Sequence, residues 1–185
     1  MGSEMCIRDS SGIDGKYSYL IRSPVGVAGL IVPANTPLAN IAWKIFPSLI
    51  CGNGNVLKSS EDAPFLAYSI GKLALASGLP KGILNVIHGD ANTGSALVTD
   101  ENVDLISFTG SSSVGKAILN QSSNTLKKVS LELGGKNALV ILSDADLSNA
   151  IKWSILSSFS NAGQRCAATS RIYIDKDIYL SLIHI

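Results

Sequence analysis

An excess of charge of either sign is missing from this chain. Its 185 residues carry 15 Lys and Arg against 14 Asp and Glu, a formal net charge of +1. Nothing in that balance suits a phosphate backbone, so nucleic acid is excluded as the expected partner. Cysteine is scarce: Cys6, Cys51 and Cys166 are too few, and odd in number, for a disulfide framework. With His88 and His184 as the only histidines, no His/Cys cluster has metal-ligand spacing, and no metal is expected. Charged residues make up 16% and hydrophobic residues 46%, a globular, core-rich balance rather than a disordered one. A long apolar run is absent as well. The longest uncharged stretch, Ser23 to Trp43, is interrupted by Pro24, Pro33, Asn35, Pro37 and Asn40 and reads as buried core, not as a membrane span. No secretory signal is visible, and a reducing cytoplasm is the expected compartment.

The two ends are related as DNA, not as protein. Back-translating Glu4–Ser10, EMCIRDS, as GAG ATG TGT ATA AGA GAC AG and taking the reverse complement gives CTG TCT CTT ATA CAC ATC, which reads LSLIHI, the sequence of Leu180–Ile185. The shared element resembles the adapter repeat of transposase-based sequencing libraries. Residues 1–10 and 180–185 are therefore expected to be non-native, with the natural chain running past both ends. Without Glu4, Arg8 and Asp9 the balance is 14 minus 12, or +2, which leaves the class argument unchanged.

What is present alternates. "VGVAGLIVP" (25–33) predicts a buried strand. Leu38, Ile41, Ala42, Ile45, Leu49 and Ile50 recur at helical spacing behind Asn35 or Thr36 as cap, in a helix kinked or ended near Pro47. "NVLK" (55–58), "ILNVIHG" (83–89), "VDLISFTG" (103–110), "KKVSLELGG" (127–135) and "NALVILS" (137–143) predict strands. Helices are expected over 64–77, near 94–98, over 113–120 and over 147–161. This order predicts an α/β fold, a doubly wound parallel sheet with right-handed crossovers. The strands end in polar clusters, at 33, 58, 89 and 108, where such a fold places its ligand crevice.

Several residues there admit two readings. "FTGSSSVGK" (108–116) is a strand, a glycine turn and a hydroxyl-rich helix start, either an ordinary capped helix or a phosphate site. Lys58 and Glu61 are either a solvated pair or partners for ribose hydroxyls. Glu132, between Leu131 and Leu133, is either a carboxylate satisfied by backbone donors or one facing a cavity, where desolvation would poise it as a general base. Cys166 is either a small core residue or a nucleophile; the polar Gly163-Gln164-Arg165 before it is unusual lining for a sealed core. Cys51 and His88 read as structural. Neither a serine elbow nor a Walker loop is present.

Together these segments resemble the aldehyde dehydrogenase superfamily. "LELGGKN" (131–137) is similar to its glutamate signature and "NAGQRCAA" (161–168) to its cysteine signature. "PANTPL" (33–38) is similar to its asparagine motif, "VLKSSEDAP" (56–64) to its ribose-binding segment and "FTGSSSVG" (108–115) to its pyrophosphate turn. The family's usual aromatic before the asparagine is Ala34 here, and the loop at 89–95 has fewer glycines than is common. The resemblance implies a Rossmann-like dinucleotide-binding part over 11–131 and the start of a catalytic part over 132–179, cut short. It implies Cys166 as nucleophile, Glu132 as base and Asn35 as oxyanion donor. Lys58 and Glu61 would hold the adenosine ribose, and Gly110 and Ser111 the pyrophosphate. Val32, Pro33, Ala34, Ser60, Phe108, Thr109, Val114 and Leu133 would complete the cofactor contacts. NAD is favoured over NADP, because Glu61 would repel a 2′-phosphate. An aldehyde of small-molecule type is the implied substrate, its chain length, charge and aromaticity left open, and a homodimer or homotetramer the implied assembly of the full-length protein. An acylating, CoA-dependent enzyme and a non-catalytic nucleotide-binding relic are the rival readings; Glu132 argues against the first, and the intact Cys166, Glu132 and Asn35 against the second.

Overall fold

The computed structural model describes residues 15–16 and 21–184. The expected non-native segment 1–10, most of the stretch 11–22, Cys6 and Ile185 lie outside the described residues. Five strands form one fully parallel sheet: β1 (Val27–Ile31), β2 (Gly54–Lys58), β3 (Leu84–Ile87), β4 (Leu105–Gly110) and β5 (Lys128–Leu133), in the order β3-β2-β1-β4-β5. The chain winds outward from β1 to β3, returns to the other side of β1 and winds outward again. This is the doubly wound arrangement expected, with its switch point between β1 and β4.

Strand alternation assigns each side chain to one of two cores. Ala28, Leu30, Val32 and Leu57 face α1 (Pro37–Ile50) and α2 (Pro64–Ala76), packing with Ile41, Ile45 and Ala67. Ile31, Ile106 and Phe108 face α3 (Ala91–Thr99) and α4 (Ser112–Ser122), with Leu97, Val98 and Ile118. Gly29 belongs to the second face and must be glycine for space. A Cβ there would lie 2.7 Å from Ile106 Cδ1 and 3.1 Å from Leu97 Cγ. On β5, Leu131 and Leu133 point into this second core, so Glu132 between them points to the α1 side.

Helix ends follow their caps. The Asp90 carboxylate accepts the N–H groups of Asn92 and Thr93 to start α3, and the Ser111 hydroxyl accepts the Val114 N–H to start α4. Thr36 occupies the N-cap of α1 without a side-chain cap bond, and Pro37 opens the helix. Pro47 does not end α1, which continues to Ile50.

After β5 the chain leaves the main sheet, and a second, two-stranded parallel sheet forms from β6 (Asn137–Ile141) and β7 (Thr169–Ile174), joined through α5 (Leu147–Phe159). The sequence pattern did not mark β7, whose outer positions are mostly exposed and lack a clean apolar period. The helix expected to reach Asn161 stops at Phe159. A tight turn over Ser160–Gly163 follows, because Asn161 (φ 58°) and Ala162 (φ 55°) are left-handed. A short helix, α6, covers Tyr179–Ile183.

Ile106 is fully buried at the centre of the sheet. Truncation to alanine is expected to cost about 2–5 kcal/mol, read as a drop in the unfolding midpoint in urea with an unchanged slope.

Candidate active site

Two cavities open beyond the carboxyl ends of β1 and β4, and they share the rim residues Pro33, Thr109 and Gly110. The register explains the shared rim: Ile31 pairs with Phe108, so the loops after both strands leave the sheet side by side.

The first cavity, about 410 Å³, brings together most of the expected cofactor residues. Val32 and Pro33 line it from β1, Lys58, Ser60 and Glu61 from the end of β2, Phe108, Thr109 and Gly110 from β4, and Val114 from α4. Ser111 caps α4 instead of lining this cavity, Leu133 lines the second cavity, and Ala34 lines neither. Lys58 is 6% exposed, and its Nζ lies 3.4 Å from the Glu61 carboxylate, which stays exposed. A solvated pair does not bury its cation, so the first of the two readings of Lys58 fails. A backbone hydrogen bond of its own, and then Lys58, hold Glu61 below the usual carboxylate range. Asp90 also lines the cavity, held low by the backbone N–H groups of Asn92 and Thr93. Sequence reasoning missed it as a site residue because its capping role accounts for it. Two carboxylates thus stand at the end of the cavity where Lys58 is buried.

The second cavity, about 580 Å³, is lined by Asn35, Glu132 and Cys166 together, residues drawn from the loop after β1, from β5 and from the loop before β7. Trp43, Asn40 and Thr36 of the α1 region form another wall. Cys166 is exposed, which removes the sealed-core reading. Glu132 is also exposed, so the desolvation expected of it is not provided by the described residues.

Side-chain amides hold the cysteine loop in place. Asn35 Nδ2 donates to the Gln164 carbonyl (2.9 Å), and Asn161 Nδ2 returns a bond to the Asn35 carbonyl (3.2 Å). Asn137 Nδ2 donates to the Cys166 carbonyl (2.5 Å) and to that of Ala168 (3.4 Å). Gly163 ends the turn at φ 72°, where an added Cβ would meet the Ser158 carbonyl oxygen at 2.9 Å. Left-handed Asn161 and Ala162 each store roughly 1–3 kcal/mol of backbone strain, which the amide bonds help to offset. Asn137 stood in a recognised motif without a role. Its partner carbonyls lie 29 and 31 positions away, and no local pattern announces such a contact.

Lys44 is a further residue that sequence reasoning missed. It is 9% exposed between α1 and β4, and its Nζ donates to Ser107 Oγ at 2.8 Å. Burial pulls its pKa from 10.5 down to about 8, against the opposing pull of Glu132.

The arrangement defines a class first: a doubly wound α/β domain whose switch-point cleft adjoins a pocket carrying a cysteine, a carboxylate and an amide. The sequence model of the aldehyde dehydrogenase family matches residues 3–184. The chain belongs to this family. It is 44% identical over 169 residues to the mitochondrial aldehyde dehydrogenase family 2 member B4 of Arabidopsis thaliana, covering 90% of this chain and 31% of that protein. To 2-hydroxymuconic semialdehyde dehydrogenase of Pseudomonas sp. (strain CF600) it is 40% identical over 178 residues, 95% of this chain and 36% of that one. Among solved structures, an aldehyde dehydrogenase from Bartonella henselae superposes with a TM-score of 0.88 at 39% identity, covering 95% of this chain and 37% of that one. Betaine aldehyde dehydrogenase from Staphylococcus aureus, solved in complex with NAD+, gives a TM-score of 0.88 at 36% identity, covering 96% of this chain and 35% of that one. The chain thus spans about a third of the length of the relatives it matches.

Two outcomes are expected here. Lys44 binds fewer protons folded than unfolded between pH 8 and 10.5, so stability rises with pH through that window. In Lys44→Met the rise should shrink, and the variant should be more stable at pH 7 by roughly 2 kcal/mol, the gap closing above pH 10; urea midpoints against pH measure both. Asn137→Ala should speed hydrogen exchange of the 166–168 amides roughly fivefold, from about 1 kcal/mol lost in total, while β1 to β5 keep their protection.

Proposed function

We propose that this chain carries the cofactor cleft and the nucleophile loop of an NAD-dependent aldehyde dehydrogenase that releases a carboxylic acid. The observation that carries the reading is the meeting of Asn35, Glu132 and Cys166 in one cavity that adjoins the cleft lined by Lys58 and Glu61.

The residues of the first cavity fit a dinucleotide. The Lys58 ammonium is nearly buried with a single partner at 3.4 Å, which leaves N–H donors for ribose hydroxyls in the cavity that it lines. Glu61 accepts from the same kind of hydroxyl. Gly110 and the start of α4 at Ser111 offer backbone N–H groups and the positive helix end to the pyrophosphate. Phe108 and Val114 give apolar walls. Glu61 and Asp90, both anionic, oppose a 2′-phosphate, so NAD is preferred to NADP. Bound NAD supplies the hydride acceptor, a chemistry that no side chain of this chain provides.

The chain's own residues do the rest. The Cys166 thiolate forms a C–S bond to the aldehyde carbon, and the carbonyl π electrons move to oxygen. Asn35 keeps one Nδ2–H engaged with the Gln164 carbonyl and has a second for the oxyanion, beside the Cys166 backbone N–H. Once oxidation has left a thioester on Cys166, Glu132 takes a proton from the water that attacks it. The acid departs and the thiolate is restored.

Exposed Glu132 and the exposed apolar residues Trp43, Phe46 and Ile50 along α1 support the view that the chain by itself does not turn over. The complete enzyme is proposed to be a cytoplasmic homodimer or homotetramer acting on a small-molecule aldehyde. Among the described residues no helix is long and apolar enough to cross a membrane.

In the chain extended to the length of its relatives, Cys166→Ala should abolish aldehyde oxidation. Glu132→Gln should slow deacylation, so that intact-protein mass spectrometry finds the acyl adduct on Cys166. Retained activity in the first variant would identify a different nucleophile.

A further inference from the structure

The second cavity carries two charged side chains, Glu132 and Arg165, and the rest of its lining is neutral. Arg165 is exposed, and the one salt bridge among the described residues, Lys58 with Glu61, does not include it. Nor does its guanidinium take part in a hydrogen bond among the described residues. Arg171, on β7, shows the contrast: its guanidinium bonds the Lys136 carbonyl at 2.6 Å and lies over the Tyr173 ring.

Arg165 stands on an unusually well-held stretch of backbone. Asn35 fixes the carbonyl of the residue before it and Asn137 the carbonyl of the residue after it. Its own N–H donates to the Gly163 carbonyl (2.9 Å), and its carbonyl accepts from Ala168 (3.1 Å). Its Cα is thereby set one residue from the nucleophile, about 3.8 Å along the chain. A fixed backbone, a cation without a partner among the described residues and a shared cavity are an arrangement that recognises an anion. The planar guanidinium fork matches a carboxylate with two parallel bonds, and it stays charged throughout the working pH range.

From this we infer that Arg165 selects aldehydes that carry a second, anionic group, a carboxylate a few carbons from the reacting carbon, and disfavours cationic ones. The inference rests on the reading of Cys166 as nucleophile given above and adds the substrate class to it. With the aldehyde carbon at Cys166 and the carboxylate at Arg165, the connecting carbons have Trp43 and Ala39 on the same cavity wall for apolar contact.

The test uses the 185-residue chain and two alkylating probes that differ in charge, iodoacetate and iodoacetamide. With either probe the thiolate displaces iodide and forms a C–S bond. Rates are read at Cys166 by peptide mass spectrometry, which separates it from Cys51 and Cys6. Any change in thiol reactivity as such moves both rates together, so their ratio reports recognition of the anion. Arg165→Gln is expected to lower the iodoacetate/iodoacetamide ratio roughly fivefold, the factor expected for one charge pair at a solvent-accessible distance. Arg165→Lys should retain most of the ratio, and both exposed substitutions should leave the circular dichroism spectrum unchanged. An unchanged ratio in Arg165→Gln, with Cys166 still alkylated, overturns the inference and leaves the nucleophile reading standing. Failure of both probes to alkylate exposed Cys166 in the unmodified chain overturns the nucleophile reading, and the inference with it.

Discussion

The pairing of β1 with β4 is the contact on which the rest of this structure depends. The two strands are far apart in the chain, yet their parallel register sets Ile31 against Phe108 and so places Pro33 beside Thr109 and Gly110. Those three residues form the shared rim of the two cavities. Because β1 is also paired with β2 on its other edge, it is buried on both faces and both sides. Its position is therefore over-determined by burial in both cores. The elements that carry charge and reactivity hang from the ends of these central strands.

A second constraint is the way the cysteine loop is attached. Its turn contains consecutive left-handed residues, a conformation that an isolated peptide would leave. What retains it is a set of amide side chains from three separate places: Asn35 after β1, Asn161 within the turn and Asn137 at the start of β6. A register irregularity in the β6–β7 ladder falls at Asn137 and Ala138, next to the bonds that Asn137 makes to the loop. Strain at Asn161 and Ala162 and support at the Gln164 and Cys166 carbonyls thus fall within one short loop, which also carries the exposed thiol.

Charge is placed sparingly and with a cost. Lys44 lies in the α1-facing layer with a hydroxyl for a partner and Glu132 on the same side of the sheet, and burial draws its proton affinity down to about 8. Lys58 is buried at the end of β2, and the carboxylate it bonds, that of Glu61, is exposed. Neither lysine is placed where it would best stabilise a fold by itself, since an imperfectly paired buried ammonium is unfavourable. Lys58 lines the first cavity, where a partially satisfied cation is available to a ligand, whereas Lys44 lines neither cavity and spends a donor on Ser107.

Much of this was legible in the sequence. The order of strands and helices followed from apolar periodicity, proline and glycine punctuation and capping residues. Polar clusters stood at the ends of the main-sheet strands, where an open parallel sheet places its crevice. Glu132 shows how far local pattern reaches. Alternation along "SLEL" already puts it opposite two buried leucines; whether it meets solvent or a closed pocket depends on what packs over that side.

Local sequence by itself determined most of the elements, the class of fold and, through motif resemblance, the family. Tertiary structure alone decided the separate β6–β7 sheet, the end of α5 at Phe159, the burial of Lys44 and Lys58, and the contact of Asn137 with the Cys166 carbonyl. The reason is one of range. Propensity, periodicity and capping act over a few residues and can be read along the chain, whereas burial and clamping depend on groups distant in sequence that become neighbours only after the sheet has closed around β1.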